Sequence, residues 1–481
     1  MSSSEPNSPN QEYDSLYAKR KEIYPREVHG IFASWRVAMV TLTLGLYYIL
    51  PWINWGEGRQ ALLFDLPNRK FNIFMLTLWP QDLIYLSALL IISALALFLF
   101  TTVGGRLWCG YACPQTVWTE VFLWIERKVE GSRPQQMKLA KSPWNMNKII
   151  KKGGKHIIWI LFSLWTGFTF VGYFTPIREL MHAVPTWDMG PWESFWIFFY
   201  GFATYGNAGW LREQVCIYMC PYARFQSVMF DDNTLIISYD EKRGDPRGTR
   251  KRGSDKPTDK GDCIDCSLCV QACPTGIDIR EGQQIGCITC GLCIDACDKV
   301  MKDIGRPRGL IDYATLDQCE AEAAGAPATP AWKALLRPRI FIYFGVWAAI
   351  GAALLFALGT RSHTDITVSP DRNPPFMLMK DGSVRNSFTV RLRNMEARPR
   401  QMVVRLEGLP GAELWTDTIP QSAAARAQVL EVGPDLTRTV RAYVAAPAGI
   451  NEQNFSFVLT SQDEQAEQDS KETLFNAPGG R

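Results

Sequence analysis

Histidine is scarce in this chain. Its 481 residues hold four, His29, His156, His182 and His363, too few and too scattered to ligate the irons of a multi-haem membrane protein. A C-x-x-C-H haem-attachment run is missing, as are a glycine-rich nucleotide fingerprint and a P-loop. Covalent haem, dinucleotide chemistry and NTP hydrolysis therefore have no footing. An excess of one charge is missing too. The 51 Lys and Arg face 48 Asp and Glu, a net +3, and no basic stripe carries interleaved aromatics, which excludes nucleic acid as a partner. The first thirty residues are polar and lack the apolar core of a signal peptide, so the first apolar run is the expected insertion signal. After Cys319 there is no cysteine at all.

Before that point cysteine is dense. Eight of the 13 fall in two matched runs, Cys263-x-x-Cys266-x-x-Cys269-x-x-x-Cys273-Pro274 and Cys287-x-x-Cys290-x-x-Cys293-x-x-x-Cys297-Asp298. This is the spacing of a bacterial two-cluster ferredoxin, in which three close thiolates hold one cubane and the fourth ligand comes from the other run. On that rule Cys263, Cys266, Cys269 and Cys297 hold one [4Fe–4S] cluster. Cys287, Cys290, Cys293 and Cys273 hold the other. Paired zinc knuckles are the alternative. Zinc takes four ligands and gains nothing from a third cysteine at the same spacing or from a distant fourth. Asp298 stands where the first run has Pro274, a departure that touches the local turn and the cluster's potential but not ligation.

Four more cysteines form two C-x-x-x-C-P motifs, Cys109/Cys113 before Pro114 and Cys216/Cys220 before Pro221. Spacing of i,i+4 would align both sulfurs of a pair on one helix face, and the proline disturbs or restarts a helix. Four thiols at similar depth can converge on one site. Three uses stay open: a soft metal such as Cu(I), a further iron–sulfur cluster, or a thiol/disulfide couple that passes electrons. Simple packing of small buried cysteines does not account for the same motif twice. Cys319 has no partner at a motif spacing and reads as structural. His156 could approach the pairs or simply sit at an interface.

The cysteines are set among apolar runs. Five are candidate membrane spans: Arg36–Pro51, Leu83–Val103, Ile157–Thr175, Trp192–Asn207 and Ile340–Leu358. Crossing ~30 Å of hydrocarbon takes roughly 20 apolar residues. Tryptophans such as Trp35, Trp52, Trp79, Trp159, Trp192 and Trp210 rim their ends as an aromatic belt. Phe71–Trp79 is too short to cross and belongs at the interface or in the packed bundle. Ten Lys and Arg lie between Gly104 and His156, against Arg178 alone between the third and fourth spans. The positive-inside rule then places the N-terminus and the cysteine-rich insert in the cytoplasm, and five crossings place the C-terminal region outside.

The chain thus divides into an N-terminal cytoplasmic segment (1–35), a four-helix membrane region with both C-x-x-x-C-P motifs (36–230), a charged linker (231–260), a ferredoxin domain (261–312), a tether (313–338), a fifth span (339–360) and a last domain (361–481). Within the linker Arg247–Lys260 is expected to be mobile, and Ala321–Pro330 forms the Ala/Pro-rich part of the tether. In the last domain Ser387–Met395, Gln401–Leu409, Thr437–Ala446 and Asn454–Thr460 alternate apolar and polar residues, the period of half-buried strands. Turns at Asp381-Gly382, Leu409-Pro410-Gly411 and Ala448-Gly449 separate them. A β-sandwich of immunoglobulin type follows, serving either to dock a partner or to cap the molecule.

Gly105-Arg106-Leu107-Trp108-Cys109-Gly110-Tyr111-Ala112-Cys113-Pro114-Gln115-Thr116-Val117-Trp118 and Cys216-Ile217-Tyr218-Met219-Cys220-Pro221-Tyr222-Ala223-Arg224-Phe225-Gln226 resemble segments of the CcoG/FixG/RdxA cytochrome c oxidase accessory proteins. The ferredoxin insert, the late span and the immunoglobulin-like tail follow in that family's order. The resemblance implies a bacterial inner-membrane protein that assists assembly of cbb3-type cytochrome c oxidase by reducing Cu(II) to Cu(I). Its partners would be the oxidase subunits or their copper-delivery factors, with a cytoplasmic donor or quinol supplying electrons. NapH-like quinol dehydrogenases pair similar motifs with a ferredoxin, but the tail and fifth span argue against them. A non-catalytic assembly scaffold is the third reading.

Overall fold

The computed structural model describes residues 22–55, 59–249, 260–323, 336–396, 398–463 and 467–478. Most of Arg247–Lys260 and of Ala321–Pro330 lies outside them.

Apolar runs become helices because backbone polar groups facing hydrocarbon must be paired within their own segment. Among the described residues four helices are long and apolar enough to cross a membrane: Ile31–Trp52, Leu83–Gly104, Met146–Val171 and Pro338–Gly359. The second and fourth bury none of their most apolar stretch. The third begins at Met146 rather than Ile157. Its early lysines turn inward. Lys148 Nζ donates to the carbonyls of Ala140 (2.9 Å) and Ser142 (2.6 Å), and Lys155 pairs with Glu126 (3.1 Å) and Glu130 (2.8 Å). The expected Trp192–Asn207 span takes another form. A 14-residue α-helix, Pro191–Thr204, runs on into π-helical turns over Tyr205–Leu211. Gly209 packs closely there, its absent Cβ position lying 3.2 Å from both Phe122 and Trp159.

The described residues divide into two compact units. One gathers Pro51–Ala88, Phe174–Pro176 and Gly351–Arg481. The Phe71–Trp79 run within it is a strand hairpin rather than part of the helical bundle. Lys70–Ile73 and Leu76–Leu78 form a hairpin that pairs with Leu62–Asp65 in a three-stranded antiparallel sheet. Nine residues with a positive-φ turn at Phe74 are too few for a helix that must also bury a face. Arg59 pairs with Asp435, Lys70 Nζ donates to the Asp435 carbonyl at 2.7 Å, and Arg361 pairs with Asp82 at 2.6 Å.

The rest of this unit is a β-sandwich. One sheet orders Glu413–Thr416, Thr437–Ala446, Val384–Asn394 and Thr364–Pro370, with Met377–Leu378 added beside Val384. The other orders Ala427–Val432, Arg400–Glu407, Gln453–Ser461 and Gln468–Phe475. All pairs are antiparallel. Inward residues of both sheets, among them Phe388, Val404, Leu406, Val444 and Phe457, make one core. Gly382 and Gly411 take positive φ in the turns that the sequence marks.

The other unit holds the cysteines. Strand Ile236–Tyr239 pairs with Ile311–Ala314, so the stretch read as a linker from residue 231 already contributes a strand to the ferredoxin fold. Helices Leu268–Ala272 and Leu292–Asp303 lie behind it around Ile237, Tyr239, Ile279, Ile294, Met301 and Ile311. Cys273-Pro274 ends the first helix, since proline cannot continue it. The second helix runs on through Asp298, whose Oδ1 accepts from the Gly309 N–H at 3.0 Å. Asp295 on the same helix caps the first span, accepting from the N–H groups of Phe32 (3.4 Å) and Ala33 (2.7 Å).

Candidate metal centre

The two cysteine runs interlock. Cys263, Cys266, Cys269 and Cys297 line one pocket, together with Tyr239, Met301 and Leu310. Cys273, Cys287, Cys290 and Cys293 line a second, with Cys269 on the wall between them and Ile237, Ile277 and Ile288 around. The fourth cysteine of each run therefore stands with the other run. Among the described residues no three His, Cys, Asp or Glu side chains are gathered tightly enough for a single ion. The thiols surround a space instead of a point. Burial pushes Cys269 up to about 11 and Cys287 and Cys297 up to about 12. Ionised thiols in so dry a place need a positive partner, which iron supplies. The donor set fits [4Fe–4S] clusters, whose chemistry is the storage of single electrons.

The C-x-x-x-C-P pairs depart from the expected single helix face. Cys109 sits on the short helix Leu107–Tyr111, while Cys113 is extended (φ −60°, ψ 127°) and is the N-cap of Pro114–Glu130. Cys216 sits on a π-helical turn, Val215–Met219, and Cys220 is the N-cap of Pro221–Met229. Each proline occupies N1, where its missing N–H is harmless and its fixed φ suits the helix. The proline restarts a helix and leaves the second cysteine at the joint.

The two motifs are knit to each other. Gln226, fully buried, accepts from Cys109 Sγ at 3.3 Å and donates to Thr101 Oγ1 at 3.1 Å. Gln115 donates to the carbonyls of Asn207 (2.8 Å) and Arg212 (3.1 Å). Burial, with Cys113, Cys216 and Cys220 adding to it, pushes the Cys109 thiol up to about 12. Burial likewise pushes Cys216 up to about 11, with Cys113 and Cys220 adding to it. The four thiols stand near one another, but no three of them close on a single point.

That site abuts the second cysteine run. A Cβ on Gly110 would lie 2.7 Å from the Ile288 carbonyl oxygen and 3.1 Å from Cys290 Cα. Tyr111 Oη donates to the Cys290 carbonyl at 3.1 Å. Arg106 donates to the carbonyls of Ile285, Cys287 and Ala223. Sequence reasoning gave no role to Arg106, Gly110, Tyr111, Gln115 or Gln226. Their presence inside the two motif segments was the available signal.

A curated relative, protein RdxB of Cereibacter sphaeroides, is 43% identical over 446 residues, covering 92% of each chain. The nitrogen fixation protein FixG of Rhizobium meliloti is 40% identical over 494 residues, 96% of this chain and 94% of its own. The chain belongs to the FixG/RdxA family. Protein RdxA of Cereibacter sphaeroides is 42% identical over 91% of this chain and 92% of its own. Family models place the parts of this FixG/RdxA chain. A 4Fe-4S dicluster domain matches residues 211–316, and the immunoglobulin-like fold at the C-terminus of FixG matches 354–478. A second 4Fe-4S binding domain matches residues 86–131, where Cys109 and Cys113 are the only cysteines.

Cys319 and His156 stand apart. Cys319 Sγ donates to Ser238 Oγ at 3.4 Å. His156 Nδ1 lies 3.0 Å from Tyr205 Oη, and its ring stacks on Trp210 and meets Trp159 edge-on. Beside it is a buried charge network that the sequence did not announce, with Arg212 on Glu126 at 2.9 Å and Lys152 on Glu130 at 3.0 Å.

Proposed function

We propose that this chain is a membrane electron carrier that feeds single electrons from two [4Fe–4S] clusters to a four-thiol site, where Cu(II) is reduced to Cu(I) in support of cbb3-type oxidase assembly. Cys263, Cys266, Cys269 and Cys297 hold one cluster, and Cys273, Cys287, Cys290 and Cys293 the other. Cys109, Cys113, Cys216 and Cys220 are the copper ligands, and they draw together around the ion, since no three of them stand at single-ion spacing without it. Copper binding releases the thiol protons to solvent, one electron from a reduced cluster converts one Cu(II) to Cu(I), and thiolates favour the softer product. The carrying observation is the contact of the Gly110–Tyr111 segment with the Cys290 backbone. The test is anaerobic purification of the full-length protein, metal and sulfide analysis, and Cu(II) reduction followed with a Cu(I)-specific chelator. Clusters without copper reduction would reject the copper step alone. A further cluster on the four thiols is the second reading, favoured by the 4Fe-4S match over residues 86–131. More than eight irons per chain in the same preparation would select it.

We also propose five crossings, with the ferredoxin fold cytoplasmic and the β-sandwich periplasmic. Support comes from parity. Pro51–Ala88 and Gly351–Arg481 share one compact unit and must lie on one side of the membrane. The Leu83–Gly104 helix leaves that side and the Pro338–Gly359 helix returns to it. The chain between them therefore crosses an even number of times. Met146–Val171 is one crossing, and Pro191–Leu211, α-helix and π turns together, supplies the second.

A further inference from the structure

We infer that Arg106 is the counter-charge that lets the buried cluster on Cys273, Cys287, Cys290 and Cys293 accept an electron. The inference rests on the electron-transfer reading above and adds a residue that sets its energetics.

Arg106 is 3% exposed. Its guanidinium donates only to backbone carbonyls, those of Ile285, Cys287 and Ala223. Among the described residues no carboxylate pairs with it. An arginine stays charged in any such setting, and a buried cation without an anion is costly. The anions it lacks are the thiolates on either side. Arg106 Nη1 donates to the carbonyl of Cys287 itself, a ligand of the second cluster, at 3.5 Å, and Arg106 stands three residues before Cys109 of the first membrane motif.

The other cations near these sites are already matched. Arg280 lines the first cavity but binds Asp278 at 2.6 Å and Asp265 at 2.5 Å. Arg36, close to Cys290, has a carboxylate in Glu120 at 3.1 Å, which it shares with Arg127. The sets differ in reaching the surface. Cys266 of the first set is exposed, whereas none of Cys273, Cys287, Cys290 and Cys293 is. Extra negative charge at the second set gains little from water, and in a low dielectric a nearby cation counts for more. Reduction potential follows net charge and hydrogen bonding around the sulfurs. Arg106 therefore raises the potential of the second cluster.

The experiment is an EPR-monitored redox titration of full-length, anaerobically purified protein and its Arg106→Gln and Arg106→Lys variants. Cys266→Ser identifies the signal of the exposed cluster. Arg106→Gln should lower the potential of the other signal and leave the exposed one in place. Arg106→Lys keeps the charge and loses the fork, and should titrate close to the parent. Two unmoved signals, or two moved equally, would overturn the inference, as would a lysine variant shifted as far as the glutamine one. If Arg106→Gln fails to assemble the second cluster, Arg106→Lys decides: parental potentials support a charge effect, and a lowered potential refutes it. A parent protein without clusters would instead reject the electron-transfer reading itself.

Discussion

Gly110→Ala should uncouple the membrane thiols from the clusters without removing a ligand. The added Cβ would stand 2.7 Å from the Ile288 oxygen, 3.1 Å from Cys290 Cα and 3.3 Å from Cys290 N. All three are backbone atoms, so no rotamer change relieves the clash. The Leu107–Tyr111 helix must withdraw until the 2.7 Å approach becomes an ordinary contact of at least 3.4 Å. Overpacking of this kind costs about 1–3 kcal/mol. The Tyr111–Cys290 hydrogen bond, at 3.1 Å, is stretched with it, a further loss on the order of 1 kcal/mol. A penalty of roughly 2 kcal/mol corresponds to a drop of ~30-fold in the docked fraction. Copper reduction from dithionite-reduced protein, read by stopped flow with a Cu(I) chelator, should slow by on the order of tenfold or more, while iron and sulfide content stay at the parent value. Parental rates together with a parental melting temperature would refute the close approach on which the coupling rests.

Other outcomes follow from the same geometry. Anaerobic protein should carry about eight irons and eight acid-labile sulfides, and a zinc-only preparation from iron-replete cells would contradict this. The Cys113→Ala/Cys220→Ala double variant should lose copper reduction while dithionite still bleaches its clusters, and Cys319→Ala, bonded only to Ser238, should keep activity. Burial raises Cys109 to about 12 and Cys216 to about 11, so these thiols hold protons across the neutral range; a soft metal must displace them, and its affinity should fall as pH drops, by about tenfold per unit for each proton released. A flat affinity between pH 6 and pH 8 would show that thiolates are not the ligands. A reporter fused after Ser254 should read cytoplasmic and one after Arg481 periplasmic; both on one side would break the parity argument.

The metal-binding half of the molecule was legible because ligand spacing is a covalent property of the chain. Cys263 to Cys297 announce their partners by number, and the interlocked cavities require only that both helices pack. Strands with clean alternation, such as Thr437–Ala446, were legible for a similar reason. The edge strands Thr364–Pro370 and Gln468–Phe475 were not. The latter exposes most of its length, so no apolar period marks it. The hairpin at Lys70–Leu78 was hidden by a composition that suits membrane and sheet equally. Ile236–Tyr239 was hidden by the charged residues around it, since its partner Ile311–Ala314 lies far along the chain and local pattern carries no information about that pairing. The i,i+4 reading of the C-x-x-x-C-P pairs failed at Cys113 and Cys220 because the proline that follows each disfavours helical backbone in the residue before it.

That failure carries the strongest sequence-to-chemistry argument in the protein. Cys113 and Cys220 are N-cap residues, a position that favours serine, threonine, aspartate and asparagine. Any of these would satisfy an orphan N–H and stabilise the helix by about 1 kcal/mol. The fold places a poor cap at two equivalent joints, each between a motif helix and a proline-led helix. Packing gives no reason for the choice, because a serine is smaller than a cysteine and would fit. The preference is for sulfur. A thiol at a helix N-terminus sits at the positive end of the macrodipole; burial raises the Cys113 thiol, and the backbone N–H groups of Gln115 and Thr116 oppose that rise. Two such thiols, with Cys109 and Cys216, are the soft-donor set on which the proposed copper step rests.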